Sequence, residues 1–139
     1  MTYWIKINYD RNVYVIDLNR VSAFAYEPNG KLKFWLPDNG FPIVLNPQGH
    51  PDAHQQVLTY IEEVKGHAFD DYWVEILYER NKYLINLKYI SAFSCEPNGR
   101  ITFWLPNGAI AIILNRQNTP EDYQKVVNYI QQATGHSLP

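Results

Sequence analysis

Hydrophobic residues alternate with polar ones from Tyr3 to Asn8, placing Tyr3, Ile5, Ile7 and Tyr9 on one face and Trp4, Lys6 and Asn8 on the other. A period of two predicts a half-buried strand. The polar tetrad Tyr9-Asp10-Arg11-Asn12 reads as a turn, and Val13–Leu18 as a second strand with Tyr14, Ile16 and Leu18 on its apolar side. A kink at Asn19-Arg20 leads to a third strand, Val21–Glu27. Pro28-Asn29-Gly30 then predicts a G1-bulge hairpin, because proline sets the first turn residue and Asn or Gly supplies a positive φ. Lys31–Leu36 is a fourth strand, with Leu32, Phe34 and Leu36 opposite Lys31, Lys33 and Trp35. The Asp38-Asn39-Gly40 turn feeds a short fifth strand ending at Leu45-Asn46, and Pro42 suits a sheet edge.

The period then lengthens to 3.6. Val57, Leu58, Ile61 and Val64 form the apolar stripe of a helix, with Gly66 placed to close it. The rest of the chain repeats the pattern at a shift of 69 residues. Tyr3-Trp4 returns as Tyr72-Trp73, Ser22-Ala23-Phe24 as Ser91-Ala92-Phe93, and Glu27-Pro28-Asn29-Gly30 as Glu96-Pro97-Asn98-Gly99. Phe34-Trp35-Leu36-Pro37 returns as Phe103-Trp104-Leu105-Pro106, and the Asn107-Gly108 turn follows. Close to half of the aligned positions are identical, which makes an internal repeat the dominant feature of the chain. The second helix starts at Thr119-Pro120-Glu121-Asp122, an N-cap hydroxyl, a proline at N1 and two carboxylates at the positive end of the dipole. Its stripe is Val126, Val127, Ile130 and Ala133, and Gly135 ends it.

These elements predict an α+β fold, a tandem repeat of two β5α units, each an antiparallel meander plus a C-terminal helix, related by a pseudo-two-fold with the helices packed on one sheet face. The first repeat covers residues 1–69 and the second 70–139. A unit of that size alone buries only about 60% of its unfolded surface. The join at Phe69-Asp70-Asp71 is short and lacks linker composition, so the two units are expected to share one compact core. The ten strands suit either one sheet or two packed five-stranded layers.

Composition narrows the function classes. Twelve Lys+Arg against fourteen Asp+Glu give a net charge of −2, and the cations are not clustered. Nucleic-acid binding is not expected, because it depends on clustered cations that release counterions. The longest apolar stretch, Ala109–Leu114, is far short of the ~20 residues of a membrane span, and the opening residues lack a signal-peptide pattern. A cytoplasmic location with no membrane contact is expected. The single cysteine, Cys95, cannot form an internal disulfide or complete a thiolate metal site. No metal and no cofactor are expected.

By alternation all four tryptophans, Trp4, Trp35, Trp73 and Trp104, fall opposite the helix-covered face, beside Lys6, Lys33, Glu75 and Thr102. Tryptophan offers a large apolar area and an N–H donor, so this face is the candidate binding surface, through Trp4, Trp35, Trp73, Trp104, Lys6 and Lys33. The alternative is that these faces pack on each other. The expected function is a non-enzymatic binding or scaffold module, using the face for a protein partner or for self-association. A small-molecule or carbohydrate binder stacking its ligand on the same rings is the second reading.

A hydrolase built on Glu27 and Glu96 is the third, disfavoured because symmetric carboxylates lack the differentiated environments of acid and base. Arg11 and Arg80, retained in both copies, are the expected ion-pair partners of those carboxylates. His50 and His54 have the i, i+4 spacing of metal ligands, yet Thr119 and Tyr123 replace them in the second copy. They are expected to be surface histidines at a helix start. His67 and His136 follow the closing glycines, where a helix dipole favours them.

Overall fold

A computed structural model describes residues 2–37, 40–66, 72–105 and 110–138. The expected turns at Asp38-Asn39 and Asn107-Gly108, the join at Phe69-Asp70-Asp71 and His67 lie outside the described residues. The first repeat comprises β1 (Trp4–Tyr9), β2 (Asn12–Asp17), β3 (Ala23–Tyr26), β4 (Leu32–Trp35), β5 (Pro42–Leu45) and α1 (Pro51–Gly66). The second comprises β6 (Trp73–Tyr78), β7 (Asn81–Asn86), β8 (Phe93–Cys95), β9 (Ile101–Trp104), β10 (Ala111–Leu114) and α2 (Pro120–Thr134). The fold is α+β with antiparallel sheet, and among the described residues each unit has five strands and a helix.

Local chemistry explains each joint. The β1–β2 hairpin closes through two residues at positive φ, Asp10 (51°) and Arg11 (69°), and β6–β7 does the same at Glu79 (50°) and Arg80 (72°). This is the type I′ geometry that matches strand twist, built here without glycine. The kink after β2 is a 3₁₀ turn, Leu18–Arg20, whose entry is fixed by the Asp17 carboxylate accepting from the backbone N–H groups of Asn19 (3.1 Å) and Tyr3 (2.9 Å). Asn86 caps the equivalent turn, Leu87–Tyr89.

At Glu27-Pro28-Asn29-Gly30 the glycine has φ 88°, its N–H donates to the Glu27 carbonyl, and the Asn29 side chain accepts from Lys31 N–H. Glu96-Pro97-Asn98-Gly99 repeats all three features, as the G1-bulge signal requires.

Both helices dock on their own strands in the same way. Gln56 donates to the Lys6 carbonyl and Lys125 to the Glu75 carbonyl, each at 3.3 Å. Gly135 closes α2 in the left-handed conformation at φ 75°. Thr119 stands at the N-cap of α2, but its hydroxyl is turned away from the helix. It donates to the Asn115 carbonyl and accepts from Asn115 N–H, clasping the preceding loop. His50, its counterpart, accepts the same N–H from Asn46 through Nδ1.

Among the described residues the strands form three sheets. β1–β2 is a separate hairpin, β8–β9–β10 is a three-stranded sheet, and β5-β4-β3-β7-β6 is a five-stranded sheet drawn from both repeats. The repeats join at β3 and β7, with Ala23 opposite Ile85, Phe24 opposite Leu84, Ala25 opposite Tyr83 and Tyr26 opposite Lys82. An exact two-fold would also pair β2 with β8. Among the described residues that second pairing is not formed.

Because alternate residues point to opposite faces, the shared sheet is a wall with a core on each side. One core gathers Ile5, Ile7, Ile16, Phe34 and the α1 stripe of the first repeat, and Trp73 and Leu84 of the second complete it. The other gathers Ile76, Ile85, Phe103, Ile112 and Val126, Val127 and Ile130 of α2, completed by Ala23, Ala25 and Trp35 of the first repeat; Ala133, the last residue of the expected stripe, is exposed one turn past Ile130. Each repeat therefore roofs part of its neighbour's core.

Candidate functional site: the open tryptophan faces

The four tryptophans occupy two pairs of equivalent positions with opposite fates. Trp73 on β6 is 5% exposed and Trp35 on β4 is 9% exposed, both taken up in the contact between repeats. Their counterparts Trp4 on β1 and Trp104 on β9 are 60% and 45% exposed. The sequence pattern assigns all four to the face opposite the helix, and the structure leaves two of them on an accessible surface. Lys6 is exposed beside Trp4 on β1, and half-buried Lys33 places its ammonium 5.4 Å from the Trp35 ring. Lys33 therefore belongs with the covered ring.

The buried pair shows how such a ring is held. Trp73 enters a socket made by Phe24 on β3 and Tyr60 on α1, with ring centroids 6.0 and 6.4 Å away. Tyr60 is steadied by its hydroxyl donating to the Asn19 side chain at 2.7 Å. On the rim, Lys65 of α1 pairs with Glu75 at 3.1 Å and Lys82 reaches the same carboxylate at 3.5 Å. Burial alone raises the Glu75 pKa, but the two ammonium groups outweigh it and hold the carboxyl below its ordinary value.

The open pair presents the same parts unjoined. Beside Trp4, Val13 and Val15 of β2 are exposed, whereas Leu84, the counterpart of Val15, is buried. In the second repeat Phe93 and Tyr129, the counterparts of Phe24 and Tyr60, stand 6.2 Å apart and only half-buried. Burial still pushes the Tyr129 hydroxyl above its ordinary pKa, with neighbouring Tyr72 adding to the rise. Trp4 also stands between two shallow grooves. One is lined by Asp52, Gln55, Gln56 and Thr59 of α1, the other by Tyr14, Val15, Leu36 and Pro37.

The valines and the Phe93–Tyr129 socket are absent from the sequence-derived site. The signal for the valines lies in β2 itself, which is apolar on both faces from Val13 to Ile16, while its counterpart carries Lys82.

Glu96, His50 and His54 are held in structural contacts. Glu96 accepts from Arg100 at 3.0 Å and from the Thr102 hydroxyl at 2.8 Å. Its partner is thus four residues away in the same hairpin, where the sequence suggests Arg80, which instead forms the β6–β7 turn. His54 is buried, not on the surface, and its Nε2 donates to the Gly30 carbonyl at 2.8 Å, tying α1 to the β3–β4 turn. With His50 holding the preceding loop, the two rings serve different hydrogen bonds.

Among the described residues no three His, Cys, Asp or Glu side chains are grouped to hold a metal ion, and no helix is long and apolar enough to cross a membrane. No protein-family model, curated protein or solved structure matches the chain.

Proposed function

We propose that the chain is a non-enzymatic binding module that makes protein–protein contacts through its two open tryptophan faces, Trp4 with Val13 and Val15 in the first repeat and Trp104 in the second. The supporting observation is the unequal fate of equivalent residues. The surfaces that bear Trp35 and Trp73 are buried against protein, and the surfaces that bear Trp104 and Trp4 are their repeats left uncovered. Large exposed aromatics beside aliphatic side chains are the composition of a contact surface.

The test is chemical cross-linking of the tagged chain in its native extract, with the links mapped by residue. Links around Trp4 or Trp104 that disappear in a Trp4→Ala/Trp104→Ala double variant of unchanged far-UV circular dichroism support the proposal. Links elsewhere, or links unchanged in the double variant, overturn it.

The groove between Trp4 and the polar edge of α1 supports the second reading, a carbohydrate stacked on the ring and hydrogen-bonded by Asp52 and Gln56. That reading requires a Trp4-dependent change in fluorescence on titration with a glycan panel, and a flat response removes it.

A further inference from the structure

We propose that the partner of each open face is a second copy of this chain, joined head to tail so that β8 of one molecule pairs with β2 of the next. This rests on the protein-contact reading above and names its occupant. The chain already contains one such junction. In both repeats the first strand (β1, β6) and the last (β5, β10) lie at sheet edges. Only the second and third strands differ between repeats: β3 and β7 are joined to each other, and β8 and β2 are not. Each open edge is thus the repeat of an edge whose partner is known, and the known partner's repeat is the other open edge.

Carrying the internal register across gives a defined contact. Ala23–Ile85, Phe24–Leu84, Ala25–Tyr83 and Tyr26–Lys82 become Ala92–Ile16, Phe93–Val15, Ser94–Tyr14 and Cys95–Val13 between copies. The Asn86 N–H to Ser22 carbonyl bond, 2.8 Å internally, becomes Asp17 N–H to Ser91 carbonyl. The outcome is a second five-stranded wall, β10-β9-β8 continued by β2 and β1 of the neighbour, in the order of the internal wall. Trp4 enters the half-buried Phe93–Tyr129 socket as Trp73 enters Phe24–Tyr60. A contact of this kind is heterologous, so it propagates into a chain of molecules unless the rotation closes a ring.

Edge composition permits the pairing without singling it out. Natural edges are often guarded by charge or proline, as Lys6 on β1, Glu75 on β6 and Pro42 on β5 show. Val13 to Ile16 of β2 and Phe93 to Cys95 of β8 carry no charge and no proline, a feature they share with the edge strand β10.

The electrostatics of the two junctions differ. Internally Lys65 and Lys82 clamp Glu75, but between copies the corresponding residues are Thr134, Val13 and Lys6, with no ion pair to form. Where Tyr89 hydroxyl donates to the Asn19 carbonyl internally, the corresponding residues between copies are Arg20 and Lys88. The contact between copies therefore lacks the Glu75 ion pairs and the Tyr89 hydrogen bond of the internal one and is the weaker of the two.

Complementation of two dead ends tests this. Val15→Glu places a carboxylate on the β2 end, opposite Lys6 in the hairpin and so compatible with the monomer fold. Trp104→Glu disables the β8 end. By sedimentation velocity the native chain is expected to exceed the 16.3 kDa monomer. Each variant alone is expected to be monomeric with native circular dichroism, and an equimolar mixture to form a dimer of about 33 kDa, twice the monomer mass through its one intact junction. A native chain that stays monomeric at its highest soluble concentration overturns this inference, while cross-links from Trp4 or Trp104 to a different protein leave the binding-module reading standing. An oligomer that survives in either single variant, or variants that fail to complement, equally overturns the head-to-tail contact.

Discussion

Replacing Trp73 by alanine, with the same replacement at Trp4 as its internal control, tests whether the junction between repeats is a real part of the core. The two residues are the same amino acid at equivalent positions, 5% and 60% exposed. Removing a buried indole takes about 150 Å² of apolar surface out of the core, worth about 4 kcal/mol at ~25 cal/mol per Å². The void left between Phe24 and Tyr60 keeps Trp73→Ala within the range of about 3–5 kcal/mol seen for large aromatic truncations. The exposed Trp4 loses little in the monomer, about 0.5 kcal/mol.

In a domain of this size the first corresponds to a fall in melting temperature of about 10–15 °C and the second to about 2 °C or less. Far-UV circular dichroism is the proper readout, since both replacements alter tryptophan fluorescence, and the melts are to be taken at the lowest workable protein concentration so that association does not contribute. Equal losses for Trp73→Ala and Trp4→Ala would refute the unequal burial on which the account depends.

Other outcomes follow from particular contacts. Glu75 has a folded pKa below its ordinary 4.5, so its contribution is present above that value and is lost as pH falls through the folded pKa. Glu75→Gln is therefore expected to cost about 0.5 kcal/mol at neutral pH, as for a partly exposed pair, and nothing in urea titrations well below pH 4.5. Arg11→Gly and Arg80→Gly relieve positive φ in the type I′ turns, and each is expected to raise stability by about 0.5 kcal/mol, with a rise in the urea midpoint as the measure. Gly99→Ala meets no atom within 4 Å but imposes a side chain at φ 85°, so a loss of about 1 kcal/mol in the same titration is expected from backbone strain alone.

Much of the fold is legible in the sequence because its signals are local. Alternation marks the strands to within a residue or two, and Pro28-Asn29-Gly30 and Gly135 fix their turn and cap through φ alone. The 3₁₀ turns after β2 and β7 are visible only as kinks, since they depend on Asp17 and Asn86 bonding to residues ahead of them. Thr119 matches an N-cap in type and place, yet a closer acceptor and donor on Asn115 capture its hydroxyl. His54 is polar and near a helix start, which suggests exposure, and a carbonyl on a distant turn draws it inside.

The site is legible to a lesser depth for a related reason. Period two assigns Trp4, Trp35, Trp73 and Trp104 to one kind of face, but it carries no information about what lies against that face. Trp35 and Trp73 are buried because β3 happens to meet β7, a pairing between segments that no local signal connects. The same limit hides Phe93 and Tyr129, whose pairing as a socket shows only through their counterparts Phe24 and Tyr60 around Trp73.

The most direct measurement of sheet continuity between copies uses the native thiol. Cys95 on β8 falls opposite Val13 of the neighbour in the transferred register, a separation of about 5.5 Å between Cα atoms that a disulfide can span. Mild oxidation of Val13→Cys, followed by peptide mapping, is expected to join residue 13 of one molecule to residue 95 of another, with much less linkage in Val15→Cys. Linkage of residue 13 to residue 13, or equal yields at positions 13 and 15, would contradict the pairing of β8 with β2.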